Sequence, residues 1–310
     1  MIDISVVIPT YNRLWSLPNA VQSCLATAAK VEVIVVDNGS TDGTWEWLQQ
    51  QPGVRAIRMD NWGKDWAVVE ALKVAQGEYV RFLDSDDWLA EGANDEQLRL
   101  ARNEAADVVV AGYQDFDDAA NTLHALTWVD CDDFIAQQLG EGWSSHYSAF
   151  LFRRDFIADI PHRQDFAFID DRMFMIEVAL KKPRLAVYRK PAFIHRRHGR
   201  GRLQDSRGIV KTVATWQQLT VYRKAFAMLG AAGELSPRRK RAPLRVVWSL
   251  MRELAKTHPA EAAAVYDWIH ELDPTFAAPI RRSLALAYRT LGFRRTERLV
   301  NLRARLLGRP

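Results

Sequence analysis

The 310-residue chain is 48% hydrophobic and 26% charged, the balance of a folded, water-exposed protein with room for one large domain or two smaller ones. No apolar run approaches the ~20 residues that span a bilayer and no charged-then-apolar leader opens the chain, so a cytoplasmic location is expected; Cys24 and Cys131, far apart and in unrelated contexts, read as free thiols. The net charge of +4 hides an asymmetry: 13 basic against 30 acidic side chains over residues 1–180 (net −17), 13 against 1 over 181–230 (net +12) and 16 against 7 over 231–310 (net +9). The acidic part argues against nucleic acid as a partner, and the basic remainder suits phosphates, anionic lipid or the acidic part itself.

The run from Asp3 to Ile8 predicts a strand that stops at Pro9, with a loop Pro9-Thr10-Tyr11-Asn12 before a helix over 16–29. Val31 to Val36 repeats the pattern and ends in Asp37-Asn38-Gly39-Ser40-Thr41-Asp42-Gly43-Thr44, followed by a helix over 44–50. Near-continuous Val and Ile runs are what a parallel strand covered on both faces requires, and the helices between them are crossovers. A third strand over 54–58 leads to Asp60-Asn61-Trp62-Gly63-Lys64 and a helix through Ala75. The implied fold is an open α/β sheet, whose ligands bind outside the carboxyl ends of the strands. There Gly39 and Gly43 permit close approach, and Asp37 can accept hydrogen bonds from a base or ribose.

The fourth strand runs into Leu83-Asp84-Ser85-Asp86-Asp87-Trp88. Three carboxylates within four positions repel one another, and a divalent cation held by oxygen ligands relieves that cost. The same residues also suit an Asp-rich turn that caps a helix.

Together, Val7-Ile8-Pro9-Thr10-Tyr11-Asn12, Val36-Asp37-Asn38-Gly39-Ser40-Thr41-Asp42-Gly43-Thr44, Asn61-Trp62-Gly63, Ala75-Gln76-Gly77-Glu78-Tyr79 and Leu83-Asp84-Ser85-Asp86-Asp87-Trp88 resemble the family 2 glycosyltransferases in order and spacing. The resemblance is dense over residues 3–90 and thinner to about 200. It implies a GT-A-type, Rossmann-like, mostly parallel central sheet with flanking helices, and a nucleotide-diphospho-sugar donor, UDP or similar. By that likeness Pro9, Thr10, Tyr11, Asn12, Asp37, Asn38 and Gly39 contact base and ribose, with Asp60 and Lys64 nearby. Asp84, Ser85 and Asp86 flank the diphosphate, and Asp86, with Asp84, holds Mn2+ or Mg2+. The chemistry is consistent: a departing diphosphate gathers negative charge that a cation stabilises. Two departures stand out. Asn38 replaces a second Asp, keeping an acceptor without the charge, and Val68-Val69 replace an Arg-Asn pair. Lys64 can supply a cation or lie on a solvated face.

A helix over 94–104 and a strand over 107–113 complete a donor half, residues 1–114; an acceptor half over 115–204 follows. Trp128 to Leu139 predicts a helix with Asp130-Cys131-Asp132-Asp133 as its capping region. Trp143 and His146 suit either a sugar-binding pocket or core packing. Asp170-Asp171-Arg172-Met173-Phe174 resembles the family's Glu-Asp-x-x-Phe. The likeness makes Asp171 the catalytic base, inverting the anomeric carbon in one displacement, with Asp170 beside it on the acceptor side and able to raise its pKa. The pair also suits a helix N-terminus. Strands over 184–188 and 192–194 precede His195-Arg196-Arg197-His198, which resembles the family's Tyr-Arg-x-His; Arg196 and His198 would close over the diphosphate, and His198 can also reach the metal.

From residue 205 to 310 the chain predicts basic helices: 209–229, 237–257, 259–272, 279–291 and 296–307. Trp248, Leu250, Leu254, Leu284, Leu286, Tyr288 and Leu291 suit a peripheral contact with the cytoplasmic face of a membrane, as a lipid-linked rather than purely saccharide acceptor would want; a bundle or self-association uses the same residues. Arg238 to Arg241 read as a solvated linker or a helix start. A nucleotidyltransferase would need a Gly-rich triphosphate loop that Val6 to Arg13 lacks. A non-catalytic sugar-nucleotide or glycan-binding module on this fold is opposed by Asp84, Asp86 and Asp171 all being present.

Overall fold

In the computed structural model, which describes residues 1–163, 166, 169–200 and 208–306, the first strands form as their composition demands. β1 (Ile4–Thr10), α1 (Leu17–Leu25), β2 (Val31–Asp37), α2 (Thr44–Leu48), β3 (Val54–Arg58), α3 (Lys64–Val74) and β4 (Tyr79–Phe82) follow in order. The strands pair in parallel as β3-β2-β1-β4. β1 is buried along its whole length, as a central strand covered on both faces must be. Thr10, Asp37 and Arg58 sit side by side in register at the carboxyl edge, and β4 stops two residues short of Asp84.

Beyond β4 the sheet becomes mixed. β5 (Trp88–Leu89), α4 (Ala93–Asn103), β6 (Val108–Asp117), β7 (Thr122–Leu126), α5 (Phe134–Ala136), β8 (Leu151–Arg153), α6 (Arg154–Ile157), α7 (Asp170–Leu180) and β9 (Leu185–Arg197) complete it. The order is β3-β2-β1-β4-β8-β6-β9-β5, with β7 on β6. β8 runs antiparallel to β4 and β6, β5 to β9, and β7 to β6, while β6 and β9 are parallel. The two short strands expected over 184–194 are one 13-residue strand. Pro191, which has no N–H to give a ladder, lies opposite Gly112 where the register shifts. A Cβ at Gly112 would lie 2.1 Å from the Leu126 carbonyl oxygen, so only glycine fits that bulge.

The helix expected over 128–139 begins only at Phe134. Asp133 alone of its acidic cluster is the cap, its Oδ1 accepting the Ala136 N–H at 3.0 Å, while Asp130 pairs with Arg189 at 2.9 Å. α5 then widens into a π-helical turn over Gln137–Glu141.

The chain divides into two compact units: Met1–Asp132 with the chain from Trp143 through β9, and Asp133–Gly142 with the helices from Gly208 onward. Residues 133–142 join the second unit although the linear reading assigns them to the first, and salt bridges account for it. Asp133 pairs with Arg239 at 2.9 Å and Glu141 with Arg238 at 2.7 Å. The second unit comprises α8 (Gly208–Ala231), α9 (Pro237–Arg241), α10 (Leu244–Leu254), α11 (Pro259–Leu272) and α12 (Arg282–Leu306). Ser236 caps α9, making the basic run a helix start. α12 replaces two expected helices and kinks at Gly292, whose φ is 73°. Tyr288 stacks on Tyr266 and Phe293 and meets the Trp248 ring edge-on. Trp248, Leu254 and Tyr288, proposed above for a membrane, are therefore buried core. Among the described residues no helix is long and apolar enough to cross a membrane.

Candidate functional site

Loops at the carboxyl ends of β1 and β2 brace each other. Asn12, at a φ of 51°, donates its N–H to Ser40 Oγ (2.8 Å) and accepts the Thr41 N–H at Oδ1 (2.8 Å). The Asn38 N–H bonds the Thr10 carbonyl at 2.9 Å. Asp37 is fully buried; Oδ1 accepts the Ser40 N–H at 3.2 Å, and Oδ2 lies 3.8 Å from Arg58 Nε. Asp37 Oδ2 and its register partner's hydroxyl, Thr10 Oγ1, are buried without a hydrogen-bond partner. Buried polar atoms seldom stay so, and a bound polar ligand would satisfy both.

Asn38 is spoken for. Its amide donates to Asn61 Oδ1 and its Oδ1 accepts the Trp62 N–H, both at 3.1 Å, so it ties two loops together. Gly39, at a φ of 83°, packs so closely that a Cβ would lie 3.3 Å from the Asn61 nitrogen. Tyr11 and Asp60 are exposed on the rim.

The turn after β4 carries the second cluster. Lys64 Nζ donates to Asp84 Oδ1 at 2.5 Å. Burial alone would raise the Asp84 carboxyl, but Lys64, His146 and His195 outweigh it and hold the carboxyl down to about 2. Lys64 is likewise kept well above its usual range: burial opposes its charge, and Asp84, Tyr147 and Asp171 sustain it. Asp86 Oδ2 lies 3.0 Å from His198 Nε2 and 3.5 Å from Arg13 Nε. The Ser85 carbonyl accepts the Ser16 hydroxyl at 2.8 Å. Asp87, buried, accepts the Arg196 N–H at 2.8 Å, which fastens the end of β9 to this turn. Arg196 donates to Asp118 at 2.8 Å and lies over Trp15, whose ring also meets the His198 imidazole edge-on at 4.8 Å. Trp15 therefore organises the turn, and nothing in its sequence setting announces it.

The resemblance implies a divalent cation at this turn. Among the described residues no three His, Cys, Asp or Glu side chains gather to hold one. Asp86 and His198, a hydrogen-bonded carboxylate and imidazole at 3.0 Å, are nevertheless donor types that such an ion accepts.

Opposite stands the first turn of α7. Asp170 faces inward, with Oδ2 2.6 Å from His162 Nδ1 and Oδ1 accepting the Arg163 N–H at 2.5 Å; its carboxylate anchors the turn. Asp171 is half-buried, and its Oδ1 accepts the Arg172 N–H at 2.8 Å. Asp84 and Asp171 both bear electrostatically on Lys64, His146 and Tyr147. Burial pushes the His146 imidazole down to about 4 against both carboxylates, so it is neutral near pH 7. Its ring stacks on His195 at 5.8 Å, and Trp143 stacks on Tyr113 at 5.7 Å. A further carboxyl was missed in the sequence: Asp65, beside Lys64, is 7% exposed. Burial, then Asp170 and Asp171, push it up to about 8 despite Lys64. An acid in a helix's first turn looks like an ordinary dipole partner, which conceals it.

None of these residues lines the open hollow of ≈ 570 Å³ bounded by Asp107, Arg153, Lys182 and Arg184. That hollow lies at the opposite ends of the strands, and Asp107 already bonds the Arg153 side chain and the Arg184 N–H.

A mixed sheet whose parallel half ends in a polar, acid-rich cleft, flanked by helices, defines the GT-A class of fold. The solved structure of S. aureus TarS in complex with UDP-GlcNAc shares it at a TM-score of 0.57 and 15% identity, covering 99% of this chain and 93% of that one. Residues 5–161 match glycosyl transferase family 2, and the chain belongs to that family. It is 31% identical over 163 residues to glycosyltransferase GlyG of Streptococcus pneumoniae, covering 48% of this chain and 54% of the relative. It is 33% identical over 105 residues to WfaP of Escherichia coli, a UDP-Glc:alpha-D-GlcNAc-diphosphoundecaprenol beta-1,3-glucosyltransferase, covering 33% and 42%. The chain thus spans about half the length of the curated relatives it matches.

Proposed function

We propose that this chain is an inverting, metal-dependent glycosyltransferase that moves a sugar from a nucleotide diphosphate, UDP in our reading, to a hydroxyl of a saccharide or lipid-linked acceptor. The observation that carries the reading is the 3.0 Å approach of His198 to Asp86 across 112 positions of sequence, beside the Lys64–Asp84 pair. The donor is the substrate such a cluster suits: Arg13, Lys64 and Arg196 can order a diphosphate, and Asp84 and Asp86 would meet it through a divalent cation. Base and ribose are taken by the Pro9 to Asn12 loop, Asp37 and Gly39, where Asp37 Oδ2 and Thr10 Oγ1 await partners. Residues 1–114, with Arg196 and His198, serve the donor, and Trp143, His146 and Asp171 serve the acceptor.

Mn2+ or Mg2+ would be held by Asp86 and His198, with Asp84 adjacent, and would neutralise charge gathering on the leaving diphosphate. Lys64 and Arg196 add fixed positive charge to the same region. Asp171 takes the proton of the acceptor hydroxyl as its oxygen attacks the anomeric carbon opposite the departing diphosphate. The Trp143–Tyr113 stack offers the sugar an aromatic face, and neutral His146 offers it a hydrogen-bonding edge. Two free cysteines in unrelated settings are consistent with a cytoplasmic, reducing location. TarS, bound to UDP-GlcNAc, and WfaP, named for a UDP-Glc donor and a diphosphoundecaprenol acceptor, support the choice of UDP and of a lipid-linked acceptor.

The test is UDP release from UDP-sugars with Mn2+ present, on wild type and on Asp171→Asn. Turnover that falls at least 100-fold in the variant while donor binding persists supports the reading. No turnover in either protein, with donor bound, sinks it.

A further inference from the structure

By sequence, α12 carries seven arginines and one glutamate. That glutamate does not offset them at the surface. Glu297 is 2% exposed, turned into the bundle, where it accepts from Arg252 Nε at 3.2 Å and from the Tyr288 hydroxyl. What α12 presents outward after the Gly292 kink is arginine and leucine. Leu299, Leu302 and Leu306 are 55%, 55% and 78% exposed. At a spacing of i, i+3, i+7 they share one face. Arg295, Arg298 and Arg303, also exposed, lie within and beside that stripe. The opposite face is occupied: Phe293 and Thr296 are buried, and Asn301 donates to the Ala255 carbonyl at 3.1 Å.

We infer that this outward face of α12 is a docking surface for an anionic lipid bilayer, lying in the plane of the interface. Three exposed leucines in a row are an unfavourable surface in water and a favourable one at the acyl boundary. Guanidinium groups beside them pair with lipid phosphates, and each one near an anionic leaflet strengthens binding about fivefold. Charge selects this occupant: the face bears one sign only, as a phosphate-rich plane requires and as a second copy of the same face would oppose. Another exposed apolar stripe of the unit, Ile209, Val213 and Trp216 on α8, has among the described residues a single lysine beside it, and Lys211 is already paired with Glu253 at 3.1 Å. The inference is argued from α12 alone and is independent of the transfer reaction.

Vesicle co-sedimentation of the full 310-residue chain tests it, using phosphatidylglycerol mixed with phosphatidylcholine against phosphatidylcholine alone. Wild type should sediment with the anionic vesicles at least tenfold more strongly and release as salt rises. The pair Leu299→Ser with Leu302→Ser, and separately Arg298→Glu with Arg303→Glu, should each lose tenfold or more while circular dichroism stays unchanged, since all four side chains are exposed. Equal binding to both vesicle types overturns the proposal, as does undiminished binding by the leucine pair. So does a wild-type dimer in light scattering that the leucine pair dissociates, which would make the face a self-association surface. Loss of vesicle binding leaves UDP release in detergent solution untouched, so failure here and failure of the transferase reading are told apart.

Discussion

Asp86 and His198 stand 3.0 Å apart between Oδ2 and Nε2, with Trp15 against the imidazole edge. The contact joins the turn after β4 to the end of β9, and the Arg196 N–H to Asp87 bond secures the same junction at 2.8 Å. A cation bound with UDP should therefore feel both ends. His198→Ala should weaken Mn2+ binding in the presence of UDP on the order of tenfold, about 1.4 kcal/mol, read from the free-Mn2+ signal in an EPR titration. An unchanged titration would remove His198 from the site.

Asp65 predicts a pH dependence of stability. Its carboxyl is pushed up to about 8 in the folded chain, against an unfolded value near 3.9. The folded state thus holds a proton that the unfolded state releases. The stability it contributes is fully present below about pH 4 and is lost as pH rises to about 8. Asp65→Asn cannot lose a proton, so urea unfolding at pH 5 and pH 8 should show the variant gaining on wild type at pH 8, on the order of 3 kcal/mol. Identical pH trends in the two proteins would refute the assignment.

Arg81 is wholly buried in β4. It donates to Asn94 Oδ1 at 3.0 Å, to the Ser148 carbonyl at 3.3 Å and to Gln97 Oε1. Burial pulls its pKa down to about 10, still charged at neutral pH. Arg81→Met keeps volume but strands three buried acceptors, and should cost about 3–5 kcal/mol in urea unfolding. Because Ser148 follows His146 and Tyr147, the variant should also raise the acceptor KM.

What could be read in advance follows from what each signal encodes. Continuous Val and Ile runs closed by polar loops define the parallel strands, and Asp84 and Asp86 stand out because acids clustered at a strand end repel one another. Pairings that close over long separations leave no local trace. Pro191 looks like a break, yet β9 continues through it, with the register shifting where it lies opposite Gly112. Asp170 looks like a partner for Asp171, but His162 claims it. Periodicity groups Trp248, Leu254 and Tyr288 as apolar residues without saying what they meet, and they meet the bundle core. Leu286 and Leu291 of the same group do face outward, and Leu299, Leu302 and Leu306 join them further along α12, beyond a kink set by one glycine.

On the function proposed above, Asp86 makes donor binding depend on a divalent cation. Calorimetric titration of UDP into wild type and Asp86→Ala, with and without Mn2+, tests it most directly. Mn2+ should tighten UDP binding by wild type at least tenfold and leave Asp86→Ala at its weak metal-free affinity. Equal strengthening by Mn2+ in both proteins would contradict the account.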